Sequence, residues 1–127
     1  MSEIITRGRF LSCLLAAAAL AEKKTKQITS EELEALLKRH VFLLDVREPK
    51  ELREAGAIKG YVNIPLGQLE SRLSEVPRDK TIVTICAKGV RAEKAADILV
   101  KHGYKVAGAC GITEWKEKKK PVVYPAR

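Results

Sequence analysis

The chain has 127 residues and a formal charge of +8, from 24 Lys and Arg against 16 Asp and Glu. That length suits one domain with its own core and needs no disulfide staples. Lys and Arg are scattered and aromatics make up only 5% of the residues, so no nucleic-acid partner is expected and small anions are the better match for the charge.

The three cysteines, Cys13, Cys86 and Cys110, form no C-x-x-C pair, and the only histidines are His40 and His102. Zinc-ligand spacing is therefore missing and no metal is expected. An odd number of cysteines argues against a disulfide framework and leaves at least one free thiol.

Residues 1–21 have the three parts of an export signal. Arg7 and Arg9 make a short basic region, and Phe10 to Ala21 is a weakly polar to apolar run. Ala19-Leu20-Ala21 is an A-x-A cleavage signature ahead of Glu22. The run is shorter than the roughly 20 apolar residues that a membrane span needs. The expectation is cleavage after Ala21, a mature protein in the periplasm and no stable membrane insertion. A helix retained at the N-terminus of a cytoplasmic protein is the competing reading. Residues 22–27 read as a polar linker, and 28–127 as the folded domain.

Thr29 with Glu32 forms a capping box that opens a helix over 30–39, with Leu33, Leu36 and Leu37 on one face. Residues 41–46 are a buried strand. Pro49 fits the first turn of a brief helix that Gly56 ends. A short strand at 61–64 stops at Pro65, and the pattern predicts a helix over 67–75. Residues 81–85 (TIVTI) are the clearest buried strand. A strong helix follows over 92–102, with Ala95, Ala96, Leu99 and Val100 expected on its inner face and Gly103 as its stop. Residues 105–109 give another strand, and 111–118 a last helix carrying Trp115. The dense basic run of Lys116 with Lys118, Lys119 and Lys120 reads as a solvated helix end. Alternating strands and helices imply an α/β fold, with a largely parallel central sheet flanked by helices on both faces.

Asp45-Val46-Arg47 ends one predicted strand and Cys86 ends another. Open α/β sheets bind ligands at the carboxyl ends of their strands. Cysteine reacts as the thiolate. Cys86 sits between a strand and a helix N-terminus, whose free N–H groups and dipole favour negative charge. Lys88 and Arg91 add positive charge nearby. Gly89 lets successive N–H groups turn into one concavity, an anion nest. The competing reading of Cys86 is a buried structural cysteine. For Cys110 it is a small residue at a tight turn, against a second thiol that relays sulfur.

Four signatures occur in order: Asp45-Val46-Arg47-Glu48-Pro49 with Glu51; Ile58-Lys59-Gly60 followed by Asn63-Ile64-Pro65-Leu66; the loop Cys86-Ala87-Lys88-Gly89-Val90-Arg91-Ala92; and Gly111-Ile112 with Trp115. With these, most of residues 28–122 resembles a rhodanese domain. The resemblance implies a three-layer α/β fold and a six-residue active loop from Cys86 to Arg91. It makes Cys86 the persulfide-forming nucleophile. The N–H groups of Ala87, Lys88, Gly89, Val90 and Arg91 would cradle the substrate, and Asp45 and Arg47 would brace the loop by ion pairing. Ala57, Tyr61 and Cys110 depart from residues common in the family. Cys110 stands where the first glycine of a Gly-Gly pair is usual.

The expected reaction moves a sulfane sulfur from a small anionic donor such as thiosulfate to a thiol, cyanide or the cysteine of an acceptor protein. No cofactor is needed for it. Phosphatases and arsenate reductases of the same fold place five residues between Cys and Arg, and here there are four. A sulfur carrier or binding module with little small-molecule turnover is the second class of reading.

Overall fold

The computed structural model describes residues 24–126. The export-signal reading of 1–21 lies outside the described residues. Four strands form one sheet: β1 (Phe42–Asp45), β2 (Val62–Asn63), β3 (Ile82–Cys86) and β4 (Val106–Gly111). Their spatial order is β2-β1-β3-β4 and every pairing is parallel. The helices are α1 (Ser30–Leu37), α2 (Pro49–Ala55), α3 (Val90–Lys101) and α4 (Ile112–Glu117).

The central strands are buried on both faces, which is why they read as unbroken apolar runs. All five residues of β3 are buried. Alternate side chains supply two cores. Leu44, Val46, Ile82, Cys86 and Ala109 point to one face, where Ala92, Ala95 and Leu99 of α3 meet Leu69 and Val76. Leu43, Val83, Ile85 and Cys110 point to the other, against Leu33 of α1 and Ile112 and Trp115 of α4. The result is a three-layer α/β/α domain. Leu99 is fully buried, and truncating such a leucine to alanine typically costs about 2–5 kcal/mol.

The capping box at Thr29 forms as its spacing predicts: Glu32 N–H donates to Thr29 Oγ1 at 3.1 Å, and Thr29 N–H donates to Glu32 Oε1 at 3.2 Å. Val100, expected on the inner face of its helix, is exposed, because it lies off the stripe of Ala92, Ala95, Ala96 and Leu99. Two further expectations change. The stretch predicted as a helix over 67–75 is a pair of 3-10 segments, Leu66–Gln68 and Glu70–Glu75, with Arg72 off helical geometry at φ −119°. Gly67 and two serines weaken helix propensity here, and Pro65 and Pro77 bound a segment too short to offset that. Leu69 and Val76 are still buried, so the apolar spacing keeps its use. The end of the polar stretch read as a linker also has structure. Ala109 N–H donates to the Lys26 carbonyl, and Ile28 N–H donates to the Ala109 carbonyl. Gln27 thereby bridges to β4 in parallel and extends the sheet by one short edge.

The basic run near the C-terminus joins α4 to α1. Lys118 pairs with Glu31 at 2.6 Å and Glu114 at 3.1 Å, and Lys120 pairs with Glu34 at 3.2 Å. Lys120 also lies over the Trp115 ring, 5.6 Å from its centroid.

The chain leaves β1 toward β2 on one side, then returns to β3 on the other. The strand order therefore reverses between β1 and β3. In open α/β sheets that reversal opens a crevice at the carboxyl ends of the strands. Asp45 and Cys86 end those two strands.

Candidate active site

Cys86 is the last residue of β3 and is 1% exposed. The loop after it turns through Gly89, whose φ of +102° is a left-handed conformation that side-chain-bearing residues seldom adopt. α3 then begins at Val90, two residues earlier than its apolar pattern predicts. Val90 and Arg91 are thus the first helical residues, and the first N–H groups of α3 have no partner within the helix. Gly89 N–H points back and donates to Cys86 Sγ at 3.0 Å.

The loop carbonyls are tied outward. Thr113 N–H of α4 donates to the Ala87 carbonyl at 3.0 Å, and Gln27 Nε2 donates to the Gly89 carbonyl at 3.1 Å. Thr84 Oγ1 donates to the Ala92 carbonyl at 2.7 Å. In a trans peptide the C=O and the following N–H point in opposite directions. Tying the Ala87 and Gly89 carbonyls outward therefore turns the N–H groups of Lys88 and Val90 inward. The end of β4 presses on this loop. A side chain on Gly111 would place its Cβ 2.7 Å from the Ala87 carbonyl oxygen and 2.8 Å from Lys88 backbone atoms.

Asp45 and Arg47 are both buried and pair with each other. Arg47 Nη2 lies 2.6 Å from Asp45 Oδ2, Arg47 Nε donates to Oδ1 at 3.0 Å, and Nη2 also donates to the Gly56 carbonyl at 3.0 Å. Asn63 Nδ2 donates to the carbonyls of Asp45 and Arg47. This network shapes the turn after β1 and fastens it to α2 and β2. The ion pair into the Cys86 loop comes from Glu51 instead. Both Glu51 oxygens accept from Arg91, each at 2.8 Å. The Arg91 hydrogen bond is the largest influence on Glu51 and holds its carboxyl down at about 2. The same bond raises the Arg91 guanidinium.

Arg91 is therefore a pinned residue and not a free cation. Lys88 is exposed and makes no ion pair among the described residues. Glu51 belongs to the first of the four signatures, but its role as the brace was not assigned from sequence. A carboxylate on the N-terminal turn of α2 facing an arginine on α3 becomes visible only once β1 and β3 are known to be neighbours.

Cys110 lies within β4 and not in a turn. It stands opposite Ile85 in register, and Cys86 stands opposite Gly111. Cys86 belongs to the α3-side core and Cys110 to the α1/α4-side core, so the two side chains leave opposite faces of the sheet. Cys110 Sγ contacts the Thr84 carbonyl at 3.6 Å. Burial is the main cause that pushes its thiol up to about 12, so it stays protonated near neutral pH. The arrangement favours a packing role over a sulfur relay.

Two clefts flank Ala87. One, of about 440 Å³, lies between α2 and α4, with Glu51, Ala55, Ile112, Thr113 and Lys116 in its walls. The other, of about 270 Å³, has Gln27, Lys88 and Thr113 in its walls. Among the described residues no three His, Cys, Asp or Glu side chains cluster as metal ligands.

The fold and loop define a small parallel α/β domain with a buried cysteine at the start of a backbone anion cradle. The family model for the rhodanese-like domain matches residues 29–118, and the chain belongs to that family. It is 36% identical over 122 residues to the uncharacterized protein YqhL of Bacillus subtilis, covering 93% of this chain and 94% of that one. It is 32% identical over 105 residues to a sulfurtransferase of Allochromatium vinosum, covering 78% and 95%. A crystal structure of a rhodanese-related protein from Thermoplasma volcanium superposes with a TM-score of 0.72 at 35% identity, covering 79% of this chain and 99% of that one. The family, and the name of the Allochromatium relative, point to sulfur transfer as the general activity.

Proposed function

We propose that the protein is a sulfurtransferase that carries a sulfane sulfur as a persulfide on Cys86. The observation that carries this reading is the Cys86 sulfur accepting the Gly89 N–H at 3.0 Å inside a loop whose carbonyls are tied outward. Such a site offers fixed dipoles to a bound anion and to the persulfide, as an oxyanion hole does.

In the first half-reaction the Cys86 thiolate attacks the outer sulfur of thiosulfate. A new S–S bond forms, the S–S bond of thiosulfate breaks, and sulfite leaves with the bonding pair. In the second, an acceptor thiolate or cyanide attacks the outer sulfur of the persulfide. The acceptor gains the sulfur, and Cys86 is released as thiolate. Atoms and charge balance without an external oxidant, and the two steps predict ping-pong kinetics. Lys88, exposed and in no ion pair among the described residues, attracts the donor dianion. The Ala87–Arg91 backbone holds it, and the cleft between α2 and α4 gives the acceptor room to approach.

The test is the intact mass of the protein after incubation with thiosulfate. Gain of one sulfur atom, lost again on adding cyanide, supports the reading. No gain in the wild-type protein, or the same gain in Cys86→Ser, would sink it.

A further inference from the structure

Gln27 lies just outside the span matched by the family model, in the segment that extends the sheet beyond β4. Backbone hydrogen bonds of its neighbours Lys26 and Ile28 to Ala109 fix the base of its side chain. From there it reaches the loop. Its Nε2 donates to the Gly89 carbonyl at 3.1 Å and to Glu93 Oε2 at 3.0 Å. The contact is close: a Cβ on Gly89 would stand 2.5 Å from Gln27 Oε1. The Gly89 carbonyl also accepts Glu93 N–H at 3.0 Å, so two donors fix its direction.

We propose that Gln27 is a positioning residue for the anion cradle. By holding the Gly89 carbonyl outward, it aims the Val90 N–H at the anion or persulfide on Cys86. An amide suits the place, because its two N–H donors meet one carbonyl and one carboxylate. A glutamate there would set a second negative charge against Glu93 and offer no donor. The proposal rests on the sulfur-transfer reading only for the identity of the anion; the geometry of the cradle is independent of it.

The experiment compares wild type with Gln27→Ala and Gln27→Glu. Two rates are measured at Cys86 by site-resolved mass spectrometry: alkylation by anionic iodoacetate and by neutral iodoacetamide. Sulfur uptake from thiosulfate is followed in parallel. We expect the iodoacetate-to-iodoacetamide ratio to fall about fivefold or more in both variants, the order of one hydrogen bond. Sulfur uptake should fall in proportion. Glu93→Gln keeps an acceptor oxygen for Gln27, so the ratio should stay within about twofold.

An unchanged ratio in Gln27→Ala and Gln27→Glu would overturn the proposal. Equal losses with both reagents would overturn it as well, since they mark general loosening of the loop. A wild-type protein that takes no sulfur, yet shows the ratio shift in the variants, would defeat the sulfur-transfer reading while supporting the role of Gln27.

Discussion

At Cys86 one atom separates two outcomes. Cys86→Ser keeps the size of the side chain and the Gly89 contact, but a hydroxyl oxygen forms no persulfide. The variant should fold with an unfolding temperature near that of the wild type and gain no sulfur from thiosulfate. Cys110 gives the opposite expectation. Its thiol is buried and pushed up to about 12, so it supplies no thiolate near neutral pH. Cys110→Ala should leave sulfur uptake within about twofold and cost about 1 kcal/mol of stability, through loss of packing. A tenfold fall in uptake would restore a relay. Cys86 is legible from sequence because it combines a strand end, a glycine and a following helix. The packing role of Cys110 is legible as a small buried residue, but its place is not, because the Gly-Gly position it occupies reads as a turn and lies inside β4.

Elements meet at the loop, and their contacts assign different tasks to its two cations. Arg91 is spent on Glu51, whereas Lys88 faces solvent. Lys88→Ala should slow reaction with thiosulfate more than with a neutral polysulfide, because it removes only attraction for the anion. Arg91→Ala should slow both donors, because it unfastens the start of α3 from α2. Parallel rate measurements with the two donors separate these effects. The Glu51 carboxyl sits at about 2, below its ordinary 4.5. A group depressed on folding stabilises the fold above its ordinary value and loses that effect as pH falls through the folded one. Its share of stability should therefore be constant from neutral pH to about 5 and decline between roughly 4.5 and 2. Thermal unfolding of Glu51→Gln should show a smaller loss across that window than the wild type. Gly111→Ala tests the approach of β4 to the loop. The added methyl meets backbone atoms of Ala87 and Lys88, so the loop must shift. We expect about 1–3 kcal/mol of lost stability and slower sulfur uptake. The Thr29 capping box, the buried strands and α3 are all readable from local pattern. Pairings such as Glu51 with Arg91, or Gln27 with Gly89, are not, because 40 and 62 residues separate the partners.

Across the whole molecule, the charge of +8 predicts that capture of a dianionic donor weakens as salt rises, since screening shortens the reach of the field. The rate constant for sulfur uptake from thiosulfate should fall between low and physiological ionic strength, and a neutral polysulfide should show little change. We also propose export, on the sequence pattern of residues 1–21. Cleavage after Ala21 would leave Lys26 to Ile28 in place beside β4. N-terminal sequencing of the native protein that begins at Met1 or Ser2 would remove this proposal. The three-layer arrangement was legible because the central strands β1 and β3 lie buried between helices whose apolar stripes match them. The 3-10 segments at 66–75 were not, since helix and tight-turn spacing differ little over so few residues. The sheet itself is a wall between Cys86 and Cys110, whose side chains leave opposite faces. Cysteines whose Cβ vectors diverge form no disulfide without movement of the backbone. Peroxide should therefore take Cys86 to a sulfenic acid that Cys110 does not capture, and onward to sulfinic acid unless another thiol intervenes. Mass analysis after peroxide should find stepwise gains of oxygen at Cys86 and no Cys86–Cys110 crosslink, so that rescue of the oxidised sulfur falls to a thiol from beyond the sheet.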